Sequence, residues 1–324
     1  MRRATTLASA LMLSAMACPL SAQQAITTTH AGLEGDLAGT LEGTLAQGTP
    51  AVLIVPGSGP TDRDGNSPLG IAAQTYKLLA EALAQRGIAS VRIDKRGMFG
   101  SAAAVPDPNA VTVDDYVADI ESWANTISRE SGGQCVWLLG HSEGGLMAMA
   151  AAASDPARYC GLLLVASVGR NLGDVLRAQL ADNPANAPLL PEIYAIIAKL
   201  KAGESVPAAG MPPALVPLFA PQVQSFLGSV FRQEPAELIA AHDLPVLILN
   251  GTAALQTPAA DARALASVRP DATLVILERV NHVLKQVPDD TSAANLATYA
   301  APDLPLAPGV VDAIVEVVTG SDAS

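Results

Sequence analysis

The stretch Cys135-Val-Trp-Leu-Leu-Gly-His-Ser-Glu-Gly-Gly145, followed by the apolar run Leu146 to Ala153, leaves the chain few ways to fold locally. It reads as a short buried strand, an abrupt turn across Gly140 to Gly144, and then a helix. Glycines on both sides of the turn let the strand and the helix pass closely. A serine at the apex is forced into a strained backbone conformation that lifts its hydroxyl clear of the sheet edge. The first helical N–H groups point toward the space above that hydroxyl, where negative charge can be held. The pattern Gly-x-Ser-x-Gly in this setting makes Ser142 the candidate nucleophile.

The flanking chain alternates apolar runs with helical patterns. Residues 25–31 and 37–44 suit an antiparallel hairpin, and Ala51 to Val55 is a continuous apolar run of the kind buried on both faces of a sheet. Helical spacing over Thr75 to Arg86 stops at Gly87, and Ile88 to Ile93 reads as the next strand. An amphipathic helix over Asp114 to Ser128 precedes the central strand, and Gly161 to Ala166 follows as another. From 171 to 240 the alternation stops, with helical segments, several prolines and no strong strand. It resumes at Leu244 to Leu249, a helix near Ala259 to Ser267, a strand over Ala272 to Leu277 and a last helix over Val310 to Val318. Such alternation predicts an α/β fold: a mostly parallel, doubly wound sheet with helices on both faces. The expected division is a core of 23–170 and 241–324, with 171–240 inserted as a helical cap.

Composition narrows the function classes. The 324 residues carry a net charge of −12, which argues against nucleic acid and against an anionic membrane surface as partners. Aromatics are only 3%, so the core must be built from Ala, Leu and Val. Residues 1–22 have the form of a secretory signal: Arg2 and Arg3, an apolar Leu7 to Met16, and a junction at Leu20-Ser-Ala22. That apolar run is too short for a stable membrane span. Lipid attachment at Cys18 is the alternative, although Ala15-Met-Ala17 fits it poorly. The mature chain keeps Cys135 and Cys160, and an even count in an exported protein favours a disulfide. His and Cys are too few and scattered for a metal cluster, and Gly97-Met-Phe-Gly100 lacks the Lys-Ser/Thr of a phosphate loop. Neither a metal nor a cofactor is expected.

Ser142 needs a base, and topology selects one. His141 sits inside the turn and should point away, His242 precedes a strand at the opposite sheet edge, and His30 belongs to the hairpin. Only His282, in Val280-Asn-His-Val-Leu284, follows the last strand, where a loop can lower an imidazole onto the serine. Two backbone donors are needed for an oxyanion. The N–H of Glu143 is one, and that of Ser58, in the loop Pro56-Gly-Ser-Gly-Pro60, is the other.

Four motifs occur in a familiar order: Val55-Pro-Gly-Ser-Gly-Pro-Thr-Asp-Arg-Asp-Gly65, Arg92-Ile-Asp-Lys-Arg-Gly97, Gly140-His-Ser-Glu-Gly144 and Asn281-His282. Together they resemble α/β-hydrolases of the serine aminopeptidase-like branch, which includes exported bacterial esterases. The resemblance covers nearly all of 45–320. It implies an α/β-hydrolase fold with a helical cap and acyl transfer through a covalent acyl-enzyme. It also implies a structural role for Asp94 and Arg96, as an ion pair bracing the loop near the site. One element departs from the pattern. Such hydrolases carry their third catalytic group, an aspartate, shortly after the strand that here is Leu244 to Leu249. The matching segment is Asn250-Gly-Thr-Ala-Ala-Leu-Gln-Thr-Pro258, and the aspartate's position falls on Ala254. An alanine cannot accept a hydrogen bond or fix a histidine tautomer. Asp261 is the candidate substitute, with Glu278 and Asp289 weaker.

The expectation is an exported serine hydrolase, periplasmic or secreted, acting on a small-molecule carboxylic ester and slowed by the vacant acid position. Two alternatives stand beside it: an aminopeptidase or amidase, with Glu143 or cap acids holding a substrate amine, and a catalytically weak ligand-binding homologue.

Overall fold

The strands β1 (Gln24–Thr28) and β2 (Leu37–Glu42) form an antiparallel hairpin that leads into the sheet. They open a computed structural model that describes residues 23–320, so the signal expected at 1–22, with Cys18 and the Ala22 junction, lies outside the described residues. Next come β3 (Ala51–Val55), a two-residue pair β4 (Asn66–Ser67) and β5 (Ile71–Ala72), α1 (Thr75–Gln85) and β6 (Ala89–Ile93). The central run is α2 (Val113–Glu130), β7 (Val136–His141), α3 (Glu143–Ser154) and β8 (Tyr159–Val165). Five helices follow without a strand: α4 (Leu172–Ala181), α5 (Leu190–Lys201), α6 (Val216–Phe219), α7 (Pro221–Phe231) and α8 (Pro235–Ala240). The chain returns through β9 (Val246–Gly251), α9 (Ala259–Val268), β10 (Thr273–Leu277), α10 (Ser292–Ala297) and α11 (Val310–Thr319).

The large sheet has the order β1-β2-β6-β3-β7-β8-β9-β10. Every pairing from β6 to β10 is parallel, and only the hairpin strands run against their neighbours. Side chains alternate across such strands, which explains the continuous apolar runs. Leu53, Val91, Leu138 and Leu162 face the layer of α2, α3 and α9, whereas Val52, Leu139, Leu163 and Leu247 face α1 and α11. Both faces are therefore covered, and β7 lies in the middle with its C-terminal end pointing at the site. The apolar sides of α5 and α7 merge with the first of these cores through Ile193, Ile197, Leu200 and Phe231.

A disulfide joins Cys135, just before β7, to Cys160 in β8, with Cα atoms 5.1 Å apart. It ties two adjacent strands at the ends remote from Ser142 and closes a loop 25 residues long. Closing a loop of that length contributes roughly 3 kcal/mol in the chain-entropy account.

The ion pair expected between Asp94 and Arg96 is corrected. Asp94 is held by Arg63 and by the N–H of Gly100, whereas Arg96 grips Asp119 and Asp115 on α2. Residues two apart at the end of a strand point to opposite sides once the backbone turns, so each finds a different partner.

Candidate active site

Ser142 occupies the turn between β7 and α3 with φ 57° and ψ −124°, a conformation that a non-glycine residue adopts only when its surroundings impose it. Its neighbours supply the constraint. A Cβ on Gly140 would lie 2.4 Å from the carbonyl oxygen of Gly144, and one on Gly144 would lie 2.3 Å from that of Val55. Gly145 is equally confined, by the side chain of Ser167 at 1.9 Å. Steric room for three crossing backbones, and not left-handed φ values, is what these glycines provide.

The loop after β3 closes on the serine: a Cβ on Gly57 would stand 3.1 Å from the Cβ of Ser142. Among the described residues, neither the N–H of Ser58 nor that of Glu143 is taken by a protein acceptor. Beneath the loop, the buried Lys95 donates from Nζ to the carbonyl of Gly57 at 2.7 Å. That carbonyl shares its peptide group with the Ser58 N–H, so the bond from Nζ polarises that N–H. Burial lowers the affinity of Lys95 for its proton, and Glu143 opposes that effect.

His282 stands across the cavity from this loop. Its Nδ1 lies 3.1 Å from Oγ1 of Thr257, and that hydroxyl also lies 2.8 Å from the carbonyl of Ala166. The His282 loop is pinned on several sides: Asn281 bonds Asn295 and Thr298, and Thr75 Oγ1 donates to the carbonyl of Val283 at 3.1 Å. Burial holds the His282 imidazole well below its ordinary value, and the neighbouring His141 adds to the effect. Ser142 and His282 line one cavity, and no hydrogen bond joins Oγ to the ring. Bonds of this kind commonly tighten only when substrate is present.

His141 faces away from the serine, as the turn geometry requires, and it has a structural task there. Its Nε2 donates to the carbonyl of His282 at 2.8 Å, and its Nδ1 accepts from the Tyr76 hydroxyl at 2.8 Å. Tyr76 in turn accepts from the Gly57 N–H at 3.0 Å. One buried chain of hydrogen bonds thus links the loop after β3, the serine turn and the His282 loop. Full burial lowers the His141 pKa to about 4, only partly offset by its bond to His282. A histidine depressed in this way adds stability that is fully present above its unfolded value and is lost as pH falls from about 6.5 toward 4. The shift corresponds to about 3 kcal/mol. Chemical denaturation at pH 7 and pH 4 should therefore show a smaller acid-induced loss for His141→Gln than for the parent. Equal losses in the two proteins contradict the assignment.

The acid candidates do not reach His282. Ala254 is buried on a loop whose neighbour Ala253 donates to the carbonyl of Val280 at 3.0 Å, so the vacant position does adjoin the His282 loop. Asp261 as a substitute acid is corrected: its carboxylate is gripped by Arg170, at 2.6 Å and 3.2 Å, and makes no bond to His282. It sits in the first turn of α9, where a carboxylate suits the helix dipole and a guanidinium. Glu278 bonds Thr252, and Asp289 bonds Thr291 on the surface, so neither serves. The group that does touch His282 is Thr257, which the sequence reading passed over. Its available signal was a hydroxyl three residues after the vacant position.

Two cavities meet at Ser142. One, about 270 Å3, rises under the inserted helices and is walled by Leu172, Leu176, Leu218, Phe226, Leu227 and Phe231. The other, about 150 Å3, is more polar and runs past His282, Tyr76, Gln256 and Tyr299. Phe219, next to Leu218 in sequence, is fully buried in the core and does not line the cavity, since it falls on the inward side of the short α6. A larger cavity, about 460 Å3, lies between α5 and α7 and shares no residue with the site. Among the described residues no cluster of His, Cys, Asp or Glu can hold a metal ion, and no helix is long and apolar enough to cross a membrane.

A serine turn at the central strand, a histidine loop after the last strand and helices inserted between β8 and β9 define the class of fold: a mostly parallel sheet with flanking helices, the α/β-hydrolase fold. Residues 69–195 match the family model described as serine aminopeptidase, S33, a span that holds the Ser142 turn and ends before the His282 loop. Esterase EstD of Thermotoga maritima is 26% identical over 241 residues, which make up 72% of this chain and 54% of that protein. The match thus spans about half the length of that esterase. Among solved structures, the non-heme bromoperoxidase BpoC of Mycobacterium tuberculosis aligns with a TM-score of 0.55 at 15% identity, over 91% of this chain and all of that one. A thermophilic esterase from Thermogutta terrifontis aligns with a TM-score of 0.52 at 20% identity, over 80% of this chain and 92% of that one. At these identities the structural likeness establishes the fold.

Proposed function

We propose that this protein is an exported hydrolase of carboxylic esters, acting through a Ser142 acyl-enzyme with His282 as base. The observation that carries the reading is the strained Ser142 turn, set between two uncommitted N–H groups and a buried neutral imidazole. Ser142 Oγ attacks the ester carbonyl and passes its proton to Nε2 of His282. The N–H groups of Ser58 and Glu143 hold the oxyanion. The tetrahedral intermediate expels the alcohol, which leaves with the proton from Nε2. Water then attacks the acyl-enzyme by the same route in reverse, freeing the acid and Ser142. The resemblance to esterases and the 26% identity to Esterase EstD support this chemistry. The disulfide suits an oxidising compartment, in keeping with export directed by 1–22.

Ester cleavage is favoured over aminopeptidase action by the state of the nearby acids. An amine-binding site needs an anion free to meet the substrate. The Glu143 side chain is buried beside Lys95, and Asp261 is spent on Arg170. The apolar cavity under the inserted helices suits an acyl chain. Parent protein should turn over a p-nitrophenyl ester of a short to medium acid, and Ser142→Ala should fall to the background rate; equal turnover by both overturns the reading. Phe226→Ala and Leu218→Ala should shift chain-length preference toward longer acyl groups, by about tenfold in kcat/KM ratio, with the fold retained. An unchanged ratio would move the acyl chain out of this cavity.

A further inference from the structure

We infer that Thr257 is the positioning residue for His282, fixing its ring and tautomer from the side where an acid would ordinarily stand. This rests on the reading of His282 as the base. The hydroxyl of Thr257 is fully buried and has two neighbours within bonding distance: the carbonyl of Ala166 at 2.8 Å and Nδ1 of His282 at 3.1 Å. A hydroxyl has one proton and two lone pairs. The carbonyl can only accept, so satisfying both contacts sends the hydroxyl proton to Ala166 and turns a lone pair toward the imidazole. Nδ1 must then bring its own proton. A neutral imidazole has only one, so Nε2 is left bare, which is the form able to take a proton from Ser142.

The backbone around the pair is arranged to hold this polarity. Ala166 donates its N–H to the carbonyl of Leu249 at 2.8 Å and then turns with φ 45°, a left-handed value that takes its own carbonyl out of the sheet. Thr257 is fixed from the other direction, because Asn250 Nδ2 donates to its carbonyl at 3.0 Å. From the opposite side, His141 holds the carbonyl of His282. The imidazole is thus oriented through both its ring and its backbone without any carboxylate. A hydroxyl differs from a carboxylate in one respect: it directs the ring but adds no charge to stabilise the imidazolium. Orientation and charge, which an aspartate supplies together, are here separated.

The test begins with the parent protein. A long-range 1H–15N spectrum at pH 7 should show His282 neutral and protonated on Nδ1, and a ring protonated on Nε2 overturns the inference. Thr257→Val keeps the shape and removes the hydroxyl. It should lower kcat/KM for an activated ester by about tenfold to a hundredfold, the cost of one buried hydrogen bond. Its spectrum should also move toward the Nε2 form, while Thr257→Ser should stay within about threefold of the parent. Thr257→Val with parental kcat/KM, alongside an inactive His282→Ala, overturns the role of Thr257 and leaves the base intact. An active His282→Ala would instead remove the base on which the inference stands. If Thr257→Val fails to fold, the parental spectrum and Thr257→Ser decide.

Discussion

Ala254→Asp is expected to raise ester turnover at least about a hundredfold. In a related triad, loss of the acid's function lowers turnover by about four orders of magnitude, which corresponds to roughly 5–6 kcal/mol of transition-state stabilisation. On the role proposed for Thr257, what the parent lacks is chiefly the negative charge beside the imidazolium, so only part of that factor is open to recovery. The loop already lies in position, since Ala253 is bonded to Val280, two residues before His282. The same substitution carries a second signature. In the parent, burial keeps His282 neutral well below its ordinary value, so the acid limb of kcat/KM should fall far below pH 6.5. A carboxylate at 254 favours the charged ring and should carry that limb upward. Turnover and limb both unchanged would contradict the account of a vacant position. A large loss in Asp261→Ala would locate the acid there instead.

Gly144→Ala is expected to abolish activity, with kcat/KM down at least about a thousandfold, and to destabilise the fold by more than about 3 kcal/mol. Its Cβ would stand 2.3 Å from the oxygen of Val55 and 2.6 Å from that of Pro56. Both neighbours are backbone, so no rotamer change relieves the clash. Relief requires parting α3 from β3, which moves the Glu143 and Ser58 N–H groups away from each other. The damage therefore reaches the proposed oxyanion donors even if the chain still folds. Thermal or denaturant unfolding gives the first quantity and steady-state ester turnover the second. A variant within about 1 kcal/mol of the parent and fully active would mean that the close packing of α3 on β3 is dispensable.

The parts of the fold legible in sequence are those governed by local pattern. Ala51 to Val55 and Gly161 to Ala166 announce themselves as strands because both faces are covered, and Gly140 to Gly145 mark a turn that only small residues permit. The long interval after Gly169 is visible by its lack of strands. The parts that escaped depend on which distant groups meet. Thr257 acquires its role from Ala166, 91 residues earlier, and His282, 25 residues later. His141 was legible as facing away from Ser142, but not as the clasp on His282, because that requires Tyr76 and a carbonyl 141 residues away. Asp94 and Arg96 were expected as partners from the resemblance, and each found a better-placed ion elsewhere in the chain. Ala254 shows the converse: an absent side chain is plain in the sequence, whereas the contact of Thr257 with His282 becomes visible only in the folded chain.

The central claim, that Ser142 is an activated nucleophile, is tested most directly by reacting the parent protein with a fluorophosphonate and mapping the adduct by peptide mass spectrometry. One phosphonyl group on Ser142, with no labelling of Ser142→Ala, is the predicted result. An adduct on another residue, or undiminished labelling of Ser142→Ala, would contradict it.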